Sequence, residues 1–317
     1  MALVPAELPC SCTLRRTGDF INGFRAEPER VAPGIDAPLT RSVRLSDTRG
    51  MSQIQCLVIG VDNHVGAYLA RLLDARGVGK GGGLGGVGDH ALLSRLGIAD
   101  AVAGIEALDA ATDAADARLV FAIDDGSAER ADLLAAVIDR IGAAVRPPRL
   151  LHVADVADLT QPGVRDGLRR VQALRGVDAA TILLAAHDSR LGQPDTVMAQ
   201  VIAAAARTDA APASFAETGP RDWGWTPEYV DAVQRMASRD RLTDIVVASG
   251  HPLTVAEIAE HALVYFRKPA SGVTVSGNGS ATAPIDTTSL LAATGWRATT
   301  VGGDLVRALC EGASDRA

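Results

Sequence analysis

Five short, mostly apolar runs, Ile54–Ile59, Leu119–Ile123, Leu150–Val153, Thr181–Ala185 and Ile245–Ala248, are separated by stretches of helical periodicity. A strand with apolar residues at consecutive positions hides both of its faces, which a sheet achieves when helices cover each side. Between the runs, Val65, Tyr68, Leu69, Leu72 and Leu73 share one face of a helix that Gly77 closes. Leu133, Leu134, Val137, Ile138 and Ile141 share the face of another. Strand–helix alternation of this kind predicts an α/β fold with a parallel sheet covered on both faces.

Composition excludes several alternatives. The formal charge is −7 without basic blocks, which argues against nucleic-acid binding through clustered Lys and Arg. No apolar run approaches the roughly 18–20 residues that span a bilayer. Cys10, Cys12, Cys56 and Cys310 lack metal-ligand or disulfide spacing beyond one Cys-Ser-Cys, so the expectation is a reducing cytoplasm and no metal. Of the 31 basic residues two are lysine, Lys80 and Lys268, and the tyrosines are Tyr68, Tyr229 and Tyr265. Residues 1–50, with five scattered prolines and no sustained period, read as a disordered leader or as translation from an upstream start; Met51 opens the first strand segment.

Punctuation places the later helices. Thr226-Pro227-Glu228 predicts an N-cap with proline at the first helical position. Thr254-Val255-Ala256-Glu257 predicts a capping box. Asp286 is placed to cap a short helix ending before Gly295.

The turn after the first strand reads Gly60-Val61-Asp62-Asn63-His64-Val65-Gly66. In dinucleotide-binding folds this turn carries three glycines, for the tight bend, for backbone approach to phosphate, and for helix–strand packing. Here Asn63 holds the middle position, so Gly60, Asn63 and Gly66 are the candidate cofactor-binding residues, with a plain strand–helix turn as the alternative. The run Gly77–Gly88 has no Ser or Thr after Gly79-Lys80, so it is not a phosphate loop. It lies where a second strand belongs, yet glycine makes poor strand, and it reads as a loop.

Four segments resemble the GDP-mannose 4,6-dehydratases, members of the extended short-chain dehydrogenases/reductases. They are Arg221-Asp222-Trp223-Gly224 leading into Tyr229-Val230, His187-Asp188-Ser189-Arg190-Leu191-Gly192, Asp244–Gly250 followed by Thr254-Val255, and Ile285-Asp286 through Gly295-Trp296-Arg297. The resemblance implies a Rossmann-type doubly wound parallel sheet over residues 51–185. It also implies a mixed C-terminal part, 186–317, bearing a smaller nucleotide-sugar lobe. It further implies NADP or NAD as cofactor, a nucleotide sugar such as GDP-mannose as ligand, and a homo-oligomer or a hetero-oligomer with a paralogue. Arg221, and with it Arg190, are the implied substrate-binding residues; an ion pair of Arg221 with Asp222 or Glu228 is the structural alternative.

The family's chemistry rests on a Ser/Thr hydroxyl and a Glu at a strand end, then Tyr-x-x-x-Lys on the next helix. Here the strand end reads His152-Val153-Ala154-Asp155-Val156-Ala157-Asp158, and no Tyr or Lys lies between Thr160 and Gly176. The remaining acid–base candidates are Asp155, Asp158 and His187. An aspartate at its ordinary value of about 3.9 substitutes poorly for a phenol, whereas histidine titrates nearer neutrality. Three readings follow: a divergent homologue that binds dinucleotide or nucleotide sugar without the Tyr–Lys couple, an active dehydratase or epimerase with an altered base, and a non-catalytic partner of a working paralogue. The last would use the helical face of Val164, Leu168, Val171 and Leu174.

Overall fold

The computed structural model describes residues 55–61, 63–76, 83–84, 101–102, 117–190, 196–207, 212–280 and 284–314. The expected leader, 1–50, lies outside the described residues, as does Gly77, the expected end of the first helix. Strands β1 (Gln55–Ile59), β2 (Gly83–Leu84), β3 (Ala101–Val102), β4 (Ala117–Asp124), β5 (Arg149–Asp155), β6 (Ala179–Leu184) and β10 (Ile245–Val247) form one sheet. Their order is β3-β2-β1-β4-β5-β6-β10, with every pair parallel. From β1 the chain first winds toward β2 and β3, then returns to continue through β4, β5 and β6. The sheet is therefore doubly wound, with its switch point between β1 and β4, the Rossmann arrangement. β2 corrects the reading of Gly77–Gly88 as loop throughout: pairing beside β1 needs only backbone groups, which glycine supplies.

The apolar runs divide between the two faces because successive side chains point opposite ways. Val58, Phe121, Ile123, Leu151, Val153, Ile182 and Leu184 pack with α1 (His64–Ala75) and α5 (Thr226–Ala237). Leu57, Ile59, Val120, Ala122 and Leu150 pack with Leu134, Val137, Ile138 and Ile141 of α2 (Ala128–Ala143). Each such side chain contributes roughly 1.5–3 kcal/mol when fully buried. Helix α3 (Pro162–Ala173) buries Val164, Leu168 and Val171 within the chain, so those positions of the face expected for a partner are already covered.

Two smaller sheets follow. β7 (Ala186–Asp188), β9 (Arg221–Trp225) and β11 (Pro252–Leu253) form one, and β8 (Ala213–Ala216) with β12 (Val273–Ser276) the other. A separate apolar cluster joins α4 (Val197–Ala206), α6 (Val255–Tyr265) and α8 (Gly302–Ser314) through Met198, Ile202, Ile258 and Leu305. The capping box at Thr254 and Glu257 is present. Asp286 accepts from the Thr288 N–H at the start of α7 (Thr288–Thr294), and Gly295 ends that helix in left-handed backbone at φ 65°. Thr226 differs from expectation: it is the first residue of α5 and not its cap, and its hydroxyl is directed elsewhere.

Candidate functional site

Parallel sheets of this winding present ligand crevices at the carboxyl ends of their strands, at the switch point. A cleft of about 310 Å³ lies there, lined by Asn63, Val65, Ile123, Asp124, Asp125, Val153, Ala154, Asp155, Asp158, Leu184 and His187. These residues come from the turn after β1, from the ends of β4 and β5 and from the β6–β7 junction, four segments far apart in the chain.

At one end sits the first turn. Gly60 adopts φ +89°, a conformation closed to most L-residues. A Cβ on Gly66 would lie 2.0 Å from the Gly60 carbonyl oxygen, so glycine alone allows the helix to pack this closely on the strand. The Asn63 Oδ1 accepts from the Val65 N–H at 2.7 Å, capping α1 with its own side chain. Two of the three positions thus meet the geometric needs of a pyrophosphate turn, and the third covers one of the N–H groups that a phosphate would meet. The backbone at Gly60 and Gly66 has the shape that a dinucleotide's pyrophosphate requires; these two and Asn63 are the residues that would hold it.

At the other end Asp155 closes β5 and starts the 3-10 turn Val156–Thr160 without capping it, which leaves its carboxylate for another partner. That partner is His187, whose Nε2 lies 3.1 Å from Asp155 Oδ1 and whose Nδ1 lies 3.0 Å from Thr226 Oγ1. A carboxylate only accepts, so Nε2–H donates to Asp155, and the neutral ring's Nδ1 accepts from Thr226. Burial works to lower the pKa of His187, but the Asp155 carboxylate outweighs it, aided by Asp188 and Asp158, and the imidazole is held above its usual value. Asp158 on the 3-10 turn is pushed up to about 6 by burial and by the carboxylates of Asp155, Asp124 and Asp125. All three acid–base candidates therefore meet in one cleft.

A second pair of the same type lies beneath. His152 Nε2 stands 3.1 Å from Asp124 Oδ2 and its Nδ1 stands 3.4 Å from Thr181 Oγ1, all three residues being buried. Asp124 also accepts from the Gly126 N–H. Asp125 lies 3.6 Å from the buried Arg130 guanidinium. Sequence reasoning missed Asp124, Asp125, His152 and the hydroxyl of Thr226. The available signal was the Asp-Asp pair at the carboxyl end of the second apolar run.

The arginines lie elsewhere. Arg221 lines a small pocket with Val197, Thr218, Gly219, Trp223, Leu253 and Val255. Its proposed ion-pair partners are engaged: Asp222 accepts from Ser249 and Gly250, and Glu228 from Thr299 and Thr300. Arg190 pairs with Glu311 on α8. Tyr229 is fully buried, its hydroxyl donating to Asp222 at 3.4 Å. Trp223 and Trp296 are core residues. Among the described residues no group of three or more His, Cys, Asp or Glu is placed to hold a metal ion, and no helix is long and apolar enough to cross a membrane.

Residues 168–290 match the family model of GDP-mannose 4,6 dehydratase. Comparison with curated proteins returns no match. Among solved structures, dTDP-glucose 4,6-dehydratase from Streptomyces venezuelae with NAD and TYD bound superposes with a TM-score of 0.69 at 14% identity, covering 83% of this chain and 97% of that one. The dTDP-glucose 4,6-dehydratase from Bacillus anthracis in complex with NAD gives 0.68 at 11%, over 83% and 97%. UDP-glucuronic acid 4-epimerase from Bacillus cereus, with a fluorinated UDP-sugar and NAD, gives 0.66 at 9%, over 83% and 100%. The solved structures share this chain's fold, a Rossmann-type doubly wound sheet, which is the class the fold defines. Within that class the chain resembles the nucleotide-sugar dehydratases.

Proposed function

We propose that this chain binds NAD or NADP across the β1–β4 switch point and a nucleotide sugar such as GDP-mannose beside it, without hydride chemistry of the Tyr–Lys type. The observation that carries this reading is the cleft itself. Its glycine turn suits a pyrophosphate, while its far end holds Asp155 at the strand-end position where the family places a hydroxyl, Asp158 one residue past the place of its glutamate, and His187 from a separate segment. In a working relative the nicotinamide accepts and returns a hydride, and the residues around it must share a proton with the sugar oxygen. Tyr229 lies in the core with its hydroxyl on Asp222, which supports the absence of a phenol in that role.

Arg221 is assigned to the sugar-nucleotide diphosphate, because a guanidinium suits phosphate and both of its neighbouring carboxylates are engaged elsewhere. Arg190 is a weaker fit, being paired with Glu311. Residues 51–185 form the dinucleotide-binding part and 186–317 the part with the nucleotide-sugar lobe in this reading, in a cytoplasmic protein that associates with itself or with a paralogue.

A thermal-shift screen against NAD(H), NADP(H), GDP, GDP-mannose and UDP-sugars tests the proposal, since a ligand that binds only the native state raises apparent stability. A rise with a dinucleotide and with a nucleotide sugar supports it; no rise with any of them defeats it. One observation favours a second reading, an active enzyme with an altered base: Asp158 is held near 6 beside His187 in the same cleft. Turnover of GDP-mannose that is lost in His187→Gln and in Asp158→Asn would establish it.

A further inference from the structure

Carboxylates outnumber cationic groups in the cleft. Its lining includes four carboxylates, Asp124, Asp125, Asp155 and Asp158, and no lysine or arginine among the described residues. The carboxylates come from two strand ends, β4 and β5, so they converge on one place through the sheet order and not through a local acidic run. Two of them have cationic or imidazole neighbours: Asp125 has Arg130, which also stands against Gly60, and Asp124 has His152. Asp155 faces His187. Asp158 sits among the others, and their repulsion is part of what raises it to about 6; above that pH it adds its own charge. His64 contributes no positive charge, because burial and the neighbouring His187 lower it to about 3.

A dinucleotide laid across a switch point puts its pyrophosphate on the first turn and its adenosine half on the β2 side. The nicotinamide half then falls on the side of β4 and β5. Oxidised and reduced nicotinamide differ there by one positive ring charge, while the rest of the molecule is the same. A group of carboxylates in a partly enclosed cleft attracts that charge, and low-dielectric walls strengthen the attraction.

We propose that the carboxylates at the ends of β4 and β5 make this cleft selective for the oxidised, cationic form of a nicotinamide dinucleotide. The inference rests on the dinucleotide reading above and deepens it. A hydride-shuttling relative must hold the reduced cofactor through its cycle; this cleft releases the reduced form preferentially. Asp158 is the specificity-determining residue, and Asp155 and Asp125 contribute less because His187 and Arg130 offset them.

Calorimetric titration of the full-length protein at pH 8 with NAD+, NADH, NADP+, NADPH and ADP-ribose tests this without any turnover. The expected result is an oxidised form bound about tenfold more tightly than its reduced partner, equivalent to about 1.4 kcal/mol, and more tightly than ADP-ribose. Asp158→Asn should cut the preference to about threefold, with its folding verified by thermal unfolding. Equal or tighter binding of the reduced form overturns the proposal and leaves the dinucleotide reading standing, and so does ADP-ribose binding as well as the oxidised dinucleotide. An undiminished preference in folded Asp158→Asn overturns it too. If no dinucleotide and no ADP-ribose binds, the reading beneath it fails as well. The wild-type comparison decides the matter even if the variant does not fold.

Discussion

The two ends of the cleft are built from different material. At the first turn the shape is set by backbone: Gly60 bends at φ +89°, and Gly66 brings helix α1 so close that a methyl group would meet the Gly60 carbonyl. At the far end the shape is set by side chains, with Asp155, His187 and Thr226 joined across three separate segments. Backbone geometry tolerates almost no substitution, whereas a side-chain constellation is replaced one residue at a time while the strands stay in place. A sheet and its first turn can therefore persist while the side chains at the strand ends change.

The comparison is broken most forcefully at the turn. Gly66→Ala should cost about 3 kcal/mol or more, or prevent folding, because backbone and not a flexible side chain stands in the way. Urea unfolding of the purified variant measures it, and a loss below about 1 kcal/mol would show that the turn is more adaptable than its geometry implies.

Next come the paired imidazoles, which differ in access. His152 is fully buried and Asp124, though it lines the cleft, is nearly so, and His152→Ala leaves a buried carboxylate without its ring partner, at a cost of roughly 2–4 kcal/mol. Asp155 is partly open to solvent, so His187→Ala should cost less, about 1–2 kcal/mol. Equal losses in denaturant unfolding would erase the distinction between a structural and a cleft-facing pair.

A smaller effect appears in the pH dependence. Asp158 binds its proton more tightly folded than unfolded, so stability falls as pH rises from about 3.8 to about 6 and is level beyond. His187, also raised, contributes stability that is fully present below 6.5 and is lost as pH climbs through its folded value. Both slopes run downward, in adjoining windows. Asp158→Asn should flatten the first and weaken the second only in part, since Asp155 and Asp188 still raise His187, read from unfolding midpoints at pH 4, 5, 6, 7 and 8. The smallest change is Asn63→Gly, which should lower stability by only a few tenths of a kcal/mol. It should also improve dinucleotide affinity about threefold in calorimetry, by freeing the Val65 N–H.

The apolar runs marked five of the seven strands of the large sheet, since an unbroken run reports burial on both faces whatever its neighbours are. β2 escaped because Gly83-Leu84 pairs through backbone alone, and periodicity reads side chains. Asp155, Asp158 and His187 were legible by position against the family pattern. Asp124 and Asp125 were not, because their approach to Asp155 depends on β4 and β5 being adjacent and parallel, a fact of strand order absent from any local window. Thr226 was misjudged for a related reason. Its place before Pro227 suits a cap, but β7 and β9 lie side by side, with Asp188 opposite Trp225, and this brings His187 close enough to take the hydroxyl.

The side chain of Asn63 has a further consequence. Its Oδ1 already occupies the Val65 N–H, so the turn carries a tethered competitor whose local concentration never falls to zero. An incoming phosphate meets a competent turn only in the fraction of molecules where that side chain has swung away, and the observed dissociation constant is the intrinsic one divided by that fraction. Such a competitor weakens phosphate binding at the turn by a constant factor, whatever further contacts a ligand makes at the carboxylate end.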